Sequence, residues 1–230
     1  MVKVLVNDGI HAVGQQMMED AGFEVDTNKV AQEDLGSKLP DYHAICVRSA
    51  TKVRKDLIDQ CPNLKVIARG GVGLDNIDVD YAKSKGIRVV NTPAASSESV
   101  AELVFAHAFT LARFLHQANR DMPTKGDSDF KSLKKSYSKG IQLRGRTLGI
   151  IGFGRIGQEA ARIGVALGMT VLPVDPVTSD ADIKIDLHGT TTTVNVKTVP
   201  MNEMLEKADV ITLHVPSLGR PLLAKSSLSK

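Results

Sequence analysis

Short runs of β-branched and aliphatic residues alternate with helical patterns through the first ninety-odd positions. VKVLVND is followed by a helical pattern near 11–21, FEVDTN by one near 31–39, and AICVRS by one near 54–60. KVIARG precedes a helical pattern near 77–85, which Gly86 ends, and IRVVNTP closes the series. Strands that alternate with helices in this way predict a parallel, doubly wound sheet of the α/β class. From Ser99 to Leu115 the run SVAELVFAHAFTLARFL is apolar nearly all round, which predicts a buried helix opened by a Ser99–Glu102 capping box. It is too short and too polar to span a membrane. The stretch DMPTKGDSDFKSLKKSYSKGIQLRGR, 121–146, is rich in Gly, Ser and charge and reads as a linker. Its cations Lys131, Lys134, Lys135, Lys139, Arg144 and Arg146 read as a solvated surface, or as a source of one charge for an anionic substrate.

A second α/β unit begins at RTLGIIGFGRIG, where Gly152, Gly154 and Gly157 fall in the spacing GxGxxG between a strand pattern and the helical pattern RIGQEAARIGVALG. The first glycine permits a tight turn, the second lets the backbone approach a pyrophosphate, and the third allows close packing of helix on strand. The helix N-terminus then presents N–H groups to an anion. The next strand, MTVLPVD, ends at Asp175, about 20 residues on, where a carboxylate accepts hydrogen bonds from ribose hydroxyls and repels a 2′-phosphate, so NAD is expected over NADP. After a short helical piece, MNEMLEKA, the strand ADVITLHVP ends at His214, Val215 and Pro216, where open α/β sheets bind ligands. His214 is a candidate general base there, but a loop lining the cofactor with its backbone needs no imidazole. The Thr190–Thr193 run reads as strand or turn.

Composition narrows the classes. With 230 residues, 42% hydrophobic, the chain can bury one or two cores. A net charge of +3, no Trp and few aromatics argue against a nucleic-acid partner. Met1-Val2-Lys3 leads straight into a strand, so a cytoplasmic protein without a secretory leader is expected. Cys46 and Cys61 have no metal-ligand spacing and read as buried thiols, no metal site is expected, and His107 and His116 do not share a helix face.

LKVIARGGVGLDNIDVDYAKSKGIRVVNTPAASSESVAEL, LRGRTLGIIGFGRIGQEAARIGVALGMTVLPVDP and ADVITLHVPSLGRPLL together resemble the NAD-dependent D-2-hydroxyacid dehydrogenases. The match loosens in the linker and between about Thr178 and Val199. VRSATKV, 47–53, is most similar to the branch acting on 3-phosphoglycerate in serine biosynthesis. The resemblance implies a substrate domain at 1–96, a nucleotide-binding domain at 97–230, and a homodimer interface along the 99–115 helix. It implies that Arg48, Ser49, Arg69, Gly70 and Gly71 face a substrate carboxylate, to which an arginine fork is suited. Val72 is implied near the nicotinamide, and Arg155 and Ile156 near the pyrophosphate. Asp75, Asn76 and Asp78 read more simply as the start of a helix.

ARGGV, 68–72, superficially copies the family's catalytic Arg-Gly-Gly, but its flanks place it in the first domain. Hydride removal from C2 of a hydroxy acid requires a base for the hydroxyl proton and a cation for the carboxylate. In the family these are a histidine held by a glutamate, and an arginine. None of His11, His43, His107, His116, His188 or His214 has the family's Pro-His context, so no catalytic residue is expected within 1–230, and the sequence reads as a truncated, inactive chain with an incomplete second domain. The expected activity of the complete protein is hydride transfer between a D-2-hydroxy or 2-keto acid and NAD. The alternatives are a glyoxylate/hydroxypyruvate reductase and an NAD-responsive binding module of the corepressor type.

Overall fold

The computed structural model describes residues 1–216 and 219–224. Ser217 and Leu218, within the ADVITLHVPSLGRPLL match, and the terminal KSSLSK lie outside them. The chain divides into two compact units, Met1–Ser96 and Ser97–Lys230.

The first unit runs β1 (Lys3–Val6), α1 (Ala12–Asp20), β2 (Glu24–Asp26), α2 (Leu35–Lys38) with a 3₁₀ turn at Leu39–Asp41, β3 (Ala44–Val47), α3 (Lys55–Asp59), β4 (Val66–Arg69), α4 (Val79–Ser84) and β5 (Arg88–Asn91). All strands are parallel, in the order β2-β1-β3-β4-β5. Parallel sheets covered by crossover helices bury both faces, which is why the strands read as nearly unbroken apolar runs. Leu5, Ile45, Val47 and Ile67 form the centre of the core with Leu35, Leu39 and Val53. The order reverses between β1 and β3, and ligands bind outside the carboxyl ends of strands at such a switch point.

In the second unit α5 (Ser97–Ala112) and α6 (Leu115–Tyr137) precede β6 (Thr147–Ile151), α7 (Arg155–Ala166), β7 (Thr170–Val174), β8 (Asp180–Leu187), β9 (Thr190–Lys197), α8 (Met201–Lys207) and β10 (Val210–Leu213). The parallel sheet has the order β10-β6-β7, again with a switch at its central strand. No described helix is long and apolar enough to cross a membrane.

Four expectations need correction. The apolar helix is not buried all round. Only the stripe Ser97, Ala101, Phe105, Ala108 is buried, while Leu103 and Leu111 are 55% and 78% exposed, because α5 packs on α7 from one side only. It starts two residues before Ser99, so Ser99 and Glu102 lie inside it and not at its N-cap. The 121–146 linker is largely α6, despite Pro123 and Gly126. Asp129 leaves helical geometry, and the Tyr137 hydroxyl donates to Asp121 Oδ2 at 2.7 Å. Sixteen residues of straight helix would separate these groups by roughly 24 Å, so α6 doubles back at Asp129. The chain flanking it on either side meets, the Ile141 N–H donating to the carbonyl of Ala112, the last residue of α5, at 2.9 Å. The Thr run, read as strand or turn, is indeed strand: it opens one arm of an antiparallel hairpin, β8–β9, whose Ile183, Ile185 and Val196 are buried in the core that includes α7 residues. Lastly, Cys61 is buried but Cys46 only half-buried. Burial raises both thiol pKa values, that of Cys61 to about 11.

Candidate active site

Beyond the carboxyl ends of β1, β3, β4 and β5 lies a cavity of about 820 Å³. Of the residues expected to face the substrate, Arg48, Arg69, Gly70 and Gly71 line it and Ser49 does not, nor does Val72, which was expected near the nicotinamide. Val72 is turned outward, its carbonyl accepting from Asn91 Nδ2 at 2.7 Å. Sequence reasoning missed Asp8, His11, Asn91 and Thr92, which share the lining. Their signal was position alone, since each follows a predicted strand closely. Thr92 Oγ1 accepts from the Gly71 N–H at 2.8 Å and so fixes the Gly70–Gly71 turn.

The Arg69 side chain is only 11% exposed. Nε donates to the Arg48 carbonyl at 3.4 Å, and one terminal nitrogen lies 3.4 Å from Asp75 Oδ1, on a side chain that is 86% exposed. A guanidinium has five donors, so most remain for an anion in the cavity. Gly73 leaves room for this pair, because a Cβ there would stand 2.9 Å from both partners. The GLDNID segment does not cap its own helix. Asp78 makes no side-chain cap to α4 and instead accepts from the Lys55 N–H, at 2.8 Å, and from Arg54 at the start of α3.

Asp8 is a receiver of hydrogen bonds. Its carboxylate accepts from Thr51 Oγ1 at 2.7 Å, the Arg48 N–H at 2.7 Å and the Thr51 N–H at 3.1 Å. Burial opposes its ionisation, but these donors, Thr51 Oγ1 foremost, outweigh burial and hold the carboxyl below its ordinary value. A depressed folded pKa contributes stability above the unfolded value, about 4, that is lost as pH falls through the folded value. Thermal unfolding of wild type and Asp8→Asn is therefore expected to show a stability gap at pH 6 that narrows below about pH 4. A gap of constant size from pH 6 to pH 3 would contradict the ionic role of Asp8.

In the second unit Gly152, at φ +96°, turns the chain out of β6. A Cβ here would lie 2.6 Å from the His214 carbonyl, and one on Gly157 would overlap the Gly152 carbonyl, so helix, turn and β10 loop are packed backbone to backbone. Gly154 is the N-cap of α7, and among the described residues no side chain caps it and nothing lies within 4 Å of where its Cβ would be. The first turn of α7 thus faces open space bounded by N–H groups, the arrangement a pyrophosphate requires. Arg155 is exposed beside it and makes no ion pair among the described residues, and Ile156 is half-buried. Phe153, fully buried, anchors the turn, and its N–H donates to Asp175 Oδ2 at 2.7 Å. Asp175 Oδ1 accepts from the Thr178 and Val177 N–H groups at 2.9 and 2.8 Å. Led by the Thr178 bond, these keep its carboxyl below the ordinary value.

The His214 backbone and the Val215 side chain border the same turn, with Pro216 next in the chain, and the His214 N–H donates to the Ile151 carbonyl at 2.7 Å. The imidazole Nε2 lies 3.0 Å from Thr212 Oγ1, and burial pushes its pKa below the usual histidine value. The candidate base is thus tied to its own strand. Among the described residues no group of three or more His, Cys, Asp or Glu side chains is placed to hold a metal ion.

Two switch points, one with an arginine-lined cavity and one with a glycine turn closed by an acid, define an α/β protein of the dehydrogenase kind. Residues 4–167 match the family described as D-isomer specific 2-hydroxyacid dehydrogenase, catalytic domain, and the chain belongs to that family. It is 38% identical to the hydroxypyruvate reductase of Thermotoga maritima, over 99% of this chain and 70% of that protein. It is 41% identical to the D-3-phosphoglycerate dehydrogenase of Methanocaldococcus jannaschii, over 94% of this chain but only 39% of that protein's length. Among solved structures it is similar to NAD⁺-bound 3-phosphoglycerate dehydrogenase of Entamoeba histolytica, with a TM-score of 0.68 and 26% identity, covering 98% of this chain and 64% of the other.

Proposed function

We propose that the chain carries the substrate-anchoring and dinucleotide-binding parts of an oxidoreductase that moves a hydride between NAD and a D-2-hydroxy acid. The observation that carries this reading is the bond between Asp175 and the Phe153 N–H, which sets an acid against the glycine turn where a ribose would follow a pyrophosphate. Gly152, Gly154 and Gly157 would admit the pyrophosphate, with Arg155 and Ile156 beside it, and His214, Val215 and Pro216 would wall the cofactor by backbone. Val72 is assigned to the nicotinamide end. When bound, the nicotinamide supplies the hydride acceptor.

The chain's own contribution on the substrate side is anchoring. Arg48 and Arg69 attract the carboxylate, the Gly70–Gly71 turn, whose N–H groups are held by the Val47 carbonyl and Thr92 Oγ1, leaves room for it without side-chain bulk, and Ser49 is kept in this set for its place on the Arg48 loop. No residue of the chain is assigned as base. 3-Phosphoglycerate is the favoured substrate from the resemblance at 47–53. Hydroxypyruvate is the second reading, favoured by the Thermotoga relative, much more of whose length is matched. The exposed Leu103 and Leu111 of α5, with Met122 and Phe130 of α6, form apolar surface that a second copy of the chain would cover.

Cofactor choice tests the reading. Asp175 Oδ2 has one protein donor and room for another, so it can take a ribose hydroxyl but repels a phosphate. Wild type is expected to bind NADH at least about tenfold more tightly than NADPH, and Asp175→Ala to lose that preference mainly by weakening NADH. Fluorescence titration with both nucleotides decides it. Equal affinities in wild type would remove Asp175 from the ribose site.

A further inference from the structure

Four polar side chains are buried among the described residues, and three of them, Asn7, Thr51 and Asn76, meet at the loop after β3. None of the three lines the cavity. Thr51 uses every polar group it has. Its hydroxyl donates to Asp8 Oδ1 at 2.7 Å and accepts from Asn7 Nδ2 at 2.8 Å. Its N–H donates to Asp8 Oδ2 at 3.1 Å, and its carbonyl accepts from Asn76 Nδ2 at 2.7 Å. Asn7 is itself held by Val30, accepting its N–H at 2.7 Å and donating to its carbonyl at 3.1 Å.

The same partners reach Arg48. Its N–H donates to Asp8 Oδ2 at 2.7 Å, and its carbonyl accepts from Asn76 Nδ2 at 2.8 Å. That carbonyl also takes Arg69 Nε, so one oxygen sets the position of both arginines. A loop held by N–H and carbonyl at both Arg48 and Thr51 has little freedom to relax when a ligand arrives, and preorganised donors bind charge without reorganising. Arginine side chains are long and rotamer-rich, so their anchoring decides how much entropy binding must overcome.

We propose that Thr51, which does not line the cavity, is the positioning residue of the anion receptor: through Asp8 and Asn76 it fixes the Arg48 N–H and carbonyl, and thereby the direction in which Arg48 and Arg69 present their guanidinium groups. The proposal rests on reading the cavity as the substrate site. A purely structural net would lower stability without selecting among kinetic parameters. A positioning net acts on substrate binding and acts through the arginines.

The test uses the full-length protein with hydroxypyruvate and NADH. Thr51→Val keeps the shape and removes the hydroxyl, while Thr51→Ser keeps the hydroxyl. Thr51→Val is expected to raise KM for hydroxypyruvate about tenfold with kcat within about threefold and the Kd for NADH unchanged, and Thr51→Ser to restore KM. In an Arg69→Ala background Thr51→Val should add less than about threefold, because contacting groups that act together are not additive. An unmoved KM, or fully additive effects, overturns the proposal. Should Thr51→Val not fold, Asn76→Ser, which strips the amide from the same two carbonyls, is read in its place with the same expected rise. If wild type turns over neither hydroxypyruvate nor 3-phosphoglycerate, the functional reading fails by itself. Calorimetric titration with the dicarboxylate tartronate then decides the positioning role, about tenfold weaker binding by Thr51→Val supporting it and equal binding overturning it.

Discussion

Gly157→Ala is expected to weaken NADH binding by at least about a hundredfold, roughly 2.7 kcal/mol, while the first unit stays folded. The added methyl would overlap the Gly152 carbonyl oxygen and lie 3.1 Å from its carbon and 3.2 Å from Ile150 Cγ2. Two of these neighbours are backbone atoms of a turn pinned by the Gly152 N–H to Val174 and the Phe153 N–H to Asp175, so they cannot swing aside as a flexible side chain would. The helix must back away from β6 instead, taking its N–H groups off the pyrophosphate position, and overpacking of this kind typically costs about 1–3 kcal/mol in stability as well. Gly164→Ala is the control. Its methyl would meet side chains, Leu148 at 3.1 Å and Val171 at 3.2 Å, far from the turn, so it should lower Tm and leave NADH affinity near wild type. NADH titration and thermal unfolding of both variants decide the matter, and unchanged affinity in Gly157→Ala would remove the turn from the cofactor site.

Arg69→Ala in the full-length protein is expected to raise KM for the hydroxy acid about a hundredfold, since losing one partner of a buried, hydrogen-bonded charge pair costs about 2–5 kcal/mol. NADH affinity should hardly move, because Arg69 has its recorded contacts with Arg48 and Asp75, both in the first unit. Lysine is a poor replacement: a point charge cannot reproduce a fork held at Nε by a carbonyl while its other nitrogens face the cavity. Initial-rate kinetics with Arg69→Ala and Arg69→Lys, beside NADH titrations, give the answer. Collapse of NADH binding would assign Arg69 to the fold or to the cofactor.

The parallel sheets were legible because strands buried on both faces have no choice but to be apolar, and glycine spacing exposed the turn before α7. The hairpin was legible in principle: Ile183 and Ile185 alternate with Asp182, Lys184 and Asp186, and His188-Gly189, both at positive φ, form the two-residue turn that such ribbons favour. Charge masks the alternation. Local propensity misled for α6, where Pro123 and Gly126 argue for a loop and long-range contacts override them, Leu133 being buried and Tyr137 bonded to Asp121. Least legible was the net under Arg48. Asn7, Thr51 and Asn76 are ordinary polar residues far apart in sequence, and only the pairing of β1, β3 and β4 brings them to one place.

The β8–β9 ribbon also bears on the order in which the second unit can assemble. Strand β10 pairs with β6, Val210 facing Leu148, and the chain between Val174 and Val210 must close as a loop before that pairing is rewarded. A hairpin with a tight turn forms in about 1–10 μs from contacts local in sequence. Once formed, its ends stand together, since the Thr198 N–H and hydroxyl both donate to the Ser179 carbonyl, at 2.9 Å each. What remains to be closed is then a short connection carrying α8, so a segment that lengthens the chain shortens the effective search for its parallel partner.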